Sequence, residues 1–239
     1  MANSVGFAEP STQRADGYFE GVLEFVASSY RADGSADSRE PLRILTSANR
    51  MLFPSLEASE PFANNAPPGV ESMLVRNDKR DMILYGDGYD AYQFKGYDLT
   101  LLGLAFKALA MGGIPSDLEA PEYVGRFALR GFQTRLWRYR DESGLRVDVC
   151  FSDDFRVNWG VLSESWLFGS GGLKVDSLDR FLAQGQVPVR LEVFSGELRR
   201  MSLNLLKVEE VGVAASTLEI PHPKVLRSST RLLIDLVRN

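Results

Sequence analysis

A chain of 239 residues with 44% hydrophobic content can bury one large core or two small ones, which excludes global disorder. Its formal net charge is −5, with lysines and arginines scattered along the chain, which argues against a general nucleic-acid binder resting on a basic face. The chain has one histidine, His222, and one cysteine, Cys150, which excludes His and Cys ligand sets for zinc, haem or iron–sulfur clusters, and an internal disulfide.

No run reaches the length needed to span a bilayer as a helix. Met1 to Pro10 lacks the basic end and apolar core of a signal peptide. Two locations are therefore expected: the cytoplasm, or an exported protein read without its signal.

Residues 1–16 are small and polar and read as a flexible amino terminus. Residues 17–225 read as a single domain, and 226–239 as a segment that docks on it or extends from it. Gly17 to Tyr30 alternates Phe19, Gly21, Leu23 and Phe25 with Tyr18, Glu20, Val22 and Glu24, a strand pattern. Arg31 to Glu40 reads as a loop and Pro41 to Ala48 as a second strand. Pro54 to Gly69, with Pro67-Pro68, reads as a long loop. Glu71 to Arg76 and Arg80 to Tyr85 form a predicted hairpin around Asn77-Asp78-Lys79, followed by a short strand, Ala91 to Lys95.

Asp98 to Gly113 has the marks of a buried helix. Asp98 is a good N-cap, Gly112-Gly113 a C-terminal stop, and the residues between are apolar almost all round, with Thr100, Gly103 and Lys107 on one narrow stripe. Further strands are predicted at Glu122 to Arg130, Phe132 to Arg140, Leu145 to Phe151 and Phe155 to Trp159, with Asp153-Asp154 as a turn between the last two. Ser163 to Trp166 is ambiguous. A second helix is predicted at Asp176 to Gln184, stopped by Gly185, then strands at Val187 to Val193 and Glu197 to Val208. Ser216 to Glu219 reads as irregular, and Arg231 to Val237 as a docking helix or strand.

About nine or ten strands with one apolar and one polar face, and two helices, imply an α+β fold dominated by antiparallel strands. The expected form is a strongly curved sheet, or half-open barrel, wrapped round the helix at Asp98. No Gly-rich strand-to-helix turn suggests a doubly wound α/β fold.

The chemistry-bearing motifs are thin. Asp87 and Asp90 lack the remaining ligands of a Ca²⁺ loop and read as turn chemistry. His222 lies between Pro221 and Pro223 with no nucleophile elbow in the chain. Cys150 alternates with Arg146 and Asp148, opposite Leu145, Val147, Val149 and Phe151, and reads as a structural thiol. No catalytic residue, metal or cofactor is assigned. The aromatics Phe127, Phe132, Trp137, Tyr139, Phe151, Phe155, Trp159, Trp166 and Phe168 crowd into about forty residues, either as ordinary core or as the lining of an apolar cavity.

Several stretches carry a resemblance. Gly185-Gln-Val-Pro-Val-Arg-Leu-Glu-Val-Phe, Leu203-Asn-Leu-Leu-Lys-Val-Glu-Glu-Val and Leu218-Glu-Ile-Pro221 look like closing strands of the LolA/LolB-like superfamily of outer-membrane lipoprotein-sorting proteins. Gly17-Tyr-Phe-Glu-Gly-Val-Leu-Glu-Phe resembles its opening strand, Ser72 to Tyr85 its hairpin, and Phe127 to Tyr139 with the strands to Trp159 its middle pair. The chain is most similar to the uncharacterised exported domains of that superfamily. The resemblance implies a curved antiparallel sheet with helices over its mouth in the periplasm or envelope of a Gram-negative bacterium. The carriers' characteristic arginine has no assignable counterpart, so no functional residue is carried over.

The expectation is then a non-catalytic envelope protein, holding a lipid, an acyl chain or a lipid-modified partner on its concave face. The residues expected there are Leu102, Phe106, Leu109, Phe127, Leu136, Val147, Val149, Phe151, Val189 and Leu191, with Lys107 toward an anionic headgroup. Alternatives are a scaffold with a self-filled core and a hydrolase working through paired carboxylates. No nucleic-acid partner is expected, and oligomeric state is open.

Overall fold

Period-two alternation decides where this chain pairs and which face each side chain takes. The computed structural model describes residues 17–55, 69–95, 120–142, 144–165, 178–221 and 224–228. Its strands are β1 (Gly21–Tyr30), β2 (Ala36–Thr46), β3 (Arg50–Phe53), β4 (Ser72–Arg76), β5 (Asp81–Tyr85) and β6 (Asp90–Lys95). They continue as β7 (Glu122–Leu129), β8 (Phe132–Arg140), β9 (Leu145–Arg156), β10 (Gln186–Ser195), β11 (Leu198–Glu210) and β12 (Val225–Ser228). Two short helices, α1 (Val161–Ser165) and α2 (Leu178–Ala183), and a 3-10 turn, Ala215–Leu218, complete the described elements.

All twelve strands join one curved, unclosed sheet in the order β12-β6-β5-β4-β3-β2-β1-β11-β10-β9-β8-β7. Neighbours pair antiparallel except β12, which lies parallel to β6. The predicted fold class, mostly antiparallel with few helices, is the one observed.

Two readings of the sequence are corrected, and two short strands are added. Residues 36–40, expected in a loop, extend β2, because the register with β1 continues from Arg39↔Ser28 to Ala36↔Tyr30. Asp153 and Asp154 are not a turn but part of β9, where Arg135 pairs with Asp153 at 2.6 Å and Gln133 donates its backbone N–H to Asp154 at 2.8 Å. The strands β3 and β12, four residues each, carry too short a pattern to stand out. The predicted helix at Asp98, the proposed caps at Asp176 and Gly112-Gly113, His222 and the segment Arg231 to Val237 lie outside the described residues.

The curvature has a local cause. Pro188 cannot donate to a ladder, and the β9–β10 register shifts on both sides of it, so that Pro188 faces Phe151 while Gln186 faces Arg156. Residues 152–155 of β9 thereby have no register partner on β10 before Arg156 pairs again with Gln186, and here the Phe19 N–H donates to Arg156 O at 2.6 Å and Phe155 packs between Phe19 and Phe132. The β7–β8 turn follows the same path. Arg130 at its tip donates to Leu205 O at 2.9 Å, beside a register shift in the β1–β11 ladder.

Helix α2 ends as its sequence predicts. Gly185 takes φ +79° and donates to Leu182 O, and a Cβ there would meet Val157 O at 2.9 Å.

The two faces of the sheet bury different sets. The inner face carries a continuous apolar cluster from Phe94 and Met82 through Met73, Met51, Ile44, Phe25, Leu205, Leu191 and Val149 to Tyr139. The outer face carries a smaller cluster on the β3–β6 half only: Leu52, Leu74, Ile83, Tyr85 and Ala91, covered by Leu218 with Val213 and Ile220 packed beside it. Each fully buried side chain of this kind contributes roughly 1.5–3 kcal/mol, so the inner face dominates stability.

Candidate functional site

Of the residues expected on the concave face, five stand together. Val147, Val149 and Phe151 on β9, and Val189 and Leu191 on β10, all belong to the inner cluster, with exposures of 0–6%. Two are on the other side of the sheet. Leu136 pairs with Cys150 and Phe127 with Thr134, positions of the outer face, and Phe127 is 47% exposed. The bulge between Tyr123 and Gly125 shifts the β7 register by one residue, so Tyr123 pairs with inner-face Trp137 while Phe127, whose register is set by the β7–β8 turn, pairs with outer-face Thr134. Leu102, Phe106, Lys107 and Leu109 lie outside the described residues.

The inner face is covered in part by the chain's own helices. Phe181 of α2 sits between Trp137 and Phe151, with ring centroids 4.9 Å from each. Leu182 is buried in the same cluster, as are Val161 and Leu162 of α1 and Trp159 before it, whose indole N–H donates to Gln186 O at 2.8 Å. Helix α1 is held from the far half of the sheet. Asn77, in the β4–β5 turn, accepts the Val161 N–H at 3.2 Å and donates to Asn158 O at 2.8 Å. The helices thus bridge the two halves of the sheet across its concave side.

Polar groups are few on the inner face and ordered on the outer one. Asp81 is fully buried on the outer side, bound by Arg76 at 2.7 and 2.6 Å and by Gln93 at 2.6 Å. A cleft of about 320 Å³ opens beside the outer cluster, lined by Glu71, Ser72, Tyr85, Asp87, Tyr89 and Lys224 among others. Lys224 donates to the carbonyls of Gly86 and Gly88, with its ammonium 5.8 Å from the Tyr85 ring centroid. Burial pushes the Tyr85 phenol above its ordinary range. Asp90 is held by Arg227 at 3.0 Å. Among the described residues, no group of three or more His, Cys, Asp or Glu is placed to hold a metal ion.

Cys150 is buried on the outer face, with Arg190 Nη2 3.6 Å from its sulfur. Burial pushes its thiol up, against the smaller opposing pull of Arg190. This is an environment for an inert thiol rather than a nucleophile.

These features define a class: a strongly bent, open antiparallel sheet whose inner face is apolar from one edge region to the other. Among solved structures the chain is similar to PNGF-II, at 8% identity and a TM-score of 0.47, over 91% of this chain and 33% of that one. It thus spans about a third of that protein's length. It is also similar to an uncharacterized conserved protein from Thermus thermophilus, at 9% identity and a TM-score of 0.43, over 87% of this chain and 91% of that one. A LolA superfamily protein from Nitrosomonas europaea is a third, at 10% identity and a TM-score of 0.34, over 87% and 93% of the two chains. The superfamily named from the sequence is thus among the structural neighbours, at values that assign this chain neither a ligand nor a partner. No family model matches the chain, and no curated protein matches it in sequence.

Proposed function

We propose that this is a non-catalytic cell-envelope protein that holds a hydrophobic ligand (a lipid, an acyl chain or a lipid-modified partner) on the inner face of its sheet. One observation carries the reading: the apolar inner cluster continues across the sheet from β6 to β8. Its β3–β5 part includes Met51, Met73 and Met82, whose flexible thioethers adapt to irregular apolar shapes. The buried side chains of this cluster are 0–9% exposed, so the chain itself covers them, and a ligand would enter by displacing that cover.

A second reading has its own support. Phe181 fills the space over Trp137 and Phe151, as a scaffold with a self-filled core requires.

Native mass spectrometry of protein expressed in a bacterial periplasm separates the two. The carrier reading expects a stoichiometric lipid or fatty-acid adduct, and Phe181→Ala is expected to keep or increase it. A clean apo mass, with thermal stability unchanged by added fatty acid in both wild type and Phe181→Ala, would sink the carrier reading and leave the scaffold.

A further inference from the structure

The half of the outer face that the 3-10 turn does not cover carries rows of cross-strand neighbours running from β8 to β11. The first is Arg138, Asp148, Glu192 and Ser202, and the next is Arg140, Arg146, Phe194 and Arg199. A third, on the other side of the first, holds Leu136, Cys150, Arg190 and Asn204. With Glu122, which β7 places opposite Arg138, five arginines thus stand against three carboxylates, in a chain whose formal net charge is −5.

Depth sharpens the imbalance. Asp148 and Glu192 lie low, with side chains 9% and 15% exposed, beneath Arg190 at 34% and Arg199 at 42%. Solvent therefore meets guanidinium groups rather than the acids that neutralise them. Arg140 directly opposes Arg146, and like charges in that position destabilise a sheet. Two of the cations are laid on rings, Arg146 on Phe194 and Arg199 on Tyr30, each 4.1 Å from the centroid. Both also pair with the acids below, Arg199 donating to Glu192 at 3.0 Å and Arg146 lying 3.6 Å from Asp148, while Arg138 holds Asp148 two-pronged at 2.7 and 2.8 Å, so a phosphate would meet the guanidinium donors that these pairs leave over. The acids of the adjoining turns, Asp141, Glu142 and Glu197, lie beyond the strand ends, and Asp141 accepts the Leu145 N–H of its own hairpin at 2.8 Å.

We infer that this face docks the protein on an anionic phospholipid bilayer. Arginine forks match phosphate oxygens, and the rows form a broad, cationic sheet face. Phe127 stands exposed at the β7 edge of the same face, where an aromatic side chain suits the boundary between headgroups and acyl chains. The inference does not depend on a ligand inside the sheet, since docking and loading are read by different measurements.

The test is co-sedimentation of the full chain with vesicles of equal parts phosphatidylcholine and phosphatidylglycerol, against vesicles of phosphatidylcholine alone. Binding is expected only to the anionic vesicles and is expected to fall as salt rises. The double variant Arg140→Gln/Arg199→Gln should bind roughly twenty-five-fold more weakly, about five-fold per arginine. Arg227→Gln, on β12 at the opposite edge of the sheet, should bind as wild type. Arg140→Gln alone, at an exposed strand end, keeps the test open if the double variant misfolds. Equal binding to both vesicle types, no binding to either, or an unchanged affinity in Arg140→Gln would overturn the inference. Retention on RNA without vesicle binding would likewise overturn it and assign the face to a polyanionic macromolecule.

Discussion

Arg76 and Asp81 face each other across the β4–β5 hairpin as a two-pronged ion pair, at 2.7 and 2.6 Å, with Asp81 fully buried. Gln93 from β6 donates to the same carboxylate at 2.6 Å, so three strands are tied at one buried charge. An ion pair taken out of water is costly to break from one side, because the remaining charge has nowhere to go.

Asp81→Ala should therefore destabilise the protein by about 3–5 kcal/mol, whereas a paired apolar replacement, Arg76→Met with Asp81→Leu, should cost much less. Chemical denaturation of both variants checks this. A double variant as unstable as Asp81→Ala would show that the pair is net stabilising and not merely committed.

The second prediction concerns the tie between the two halves of the sheet. Asn77 bonds the start of α1, and Gly160 lies so close that a Cβ there would meet the Asn77 Oδ1 at 2.0 Å, at φ +45°. Asn77→Ala should cost roughly 1–3 kcal/mol by leaving the Val161 N–H and the Asn158 carbonyl without that partner. Gly160→Ala should be at least as harmful, since it demands both strained backbone and displacement of Asn77. Hydrogen exchange should speed up in residues 158–165 while β1 and β11 stay protected. Uniform acceleration across the sheet would show that the tie is global rather than local.

The third follows from Cys150. Its thiol is pushed up by burial in the folded chain, so on raising the pH the unfolded chain loses this proton first. Stability from this group is then constant below the ordinary thiol range and declines as pH rises through it. Cys150→Ser should flatten that alkaline decline, apart from the similar contribution of Tyr85. In the native protein, iodoacetamide should label Cys150 far more slowly than in denaturant. Fast native labelling would contradict the burial of the thiol.

Much of this protein was legible before any coordinates. Alternation alone located most of the strands, because a strand with one wet face writes its pairing into every second residue. It also put Cys150 opposite Val147, Val149 and Phe151, and Gly185 at the end of a helix, since both depend only on neighbours a few residues away. What tertiary structure alone decided were the places where that period is broken or too short to see. The bulge at Tyr123–Gly125 puts Tyr123 and Phe127 on opposite faces, and the register shifts beside Pro188 let Asp153 and Asp154 continue β9 without partners on β10. The four-residue strands β3 and β12 exist only because longer neighbours offer them a ladder. The arginine rows were equally hidden. Arg140, Arg146 and Arg199 are scattered in sequence, and only the registers of two hairpins and of the β9–β10 pairing bring their charges to one face.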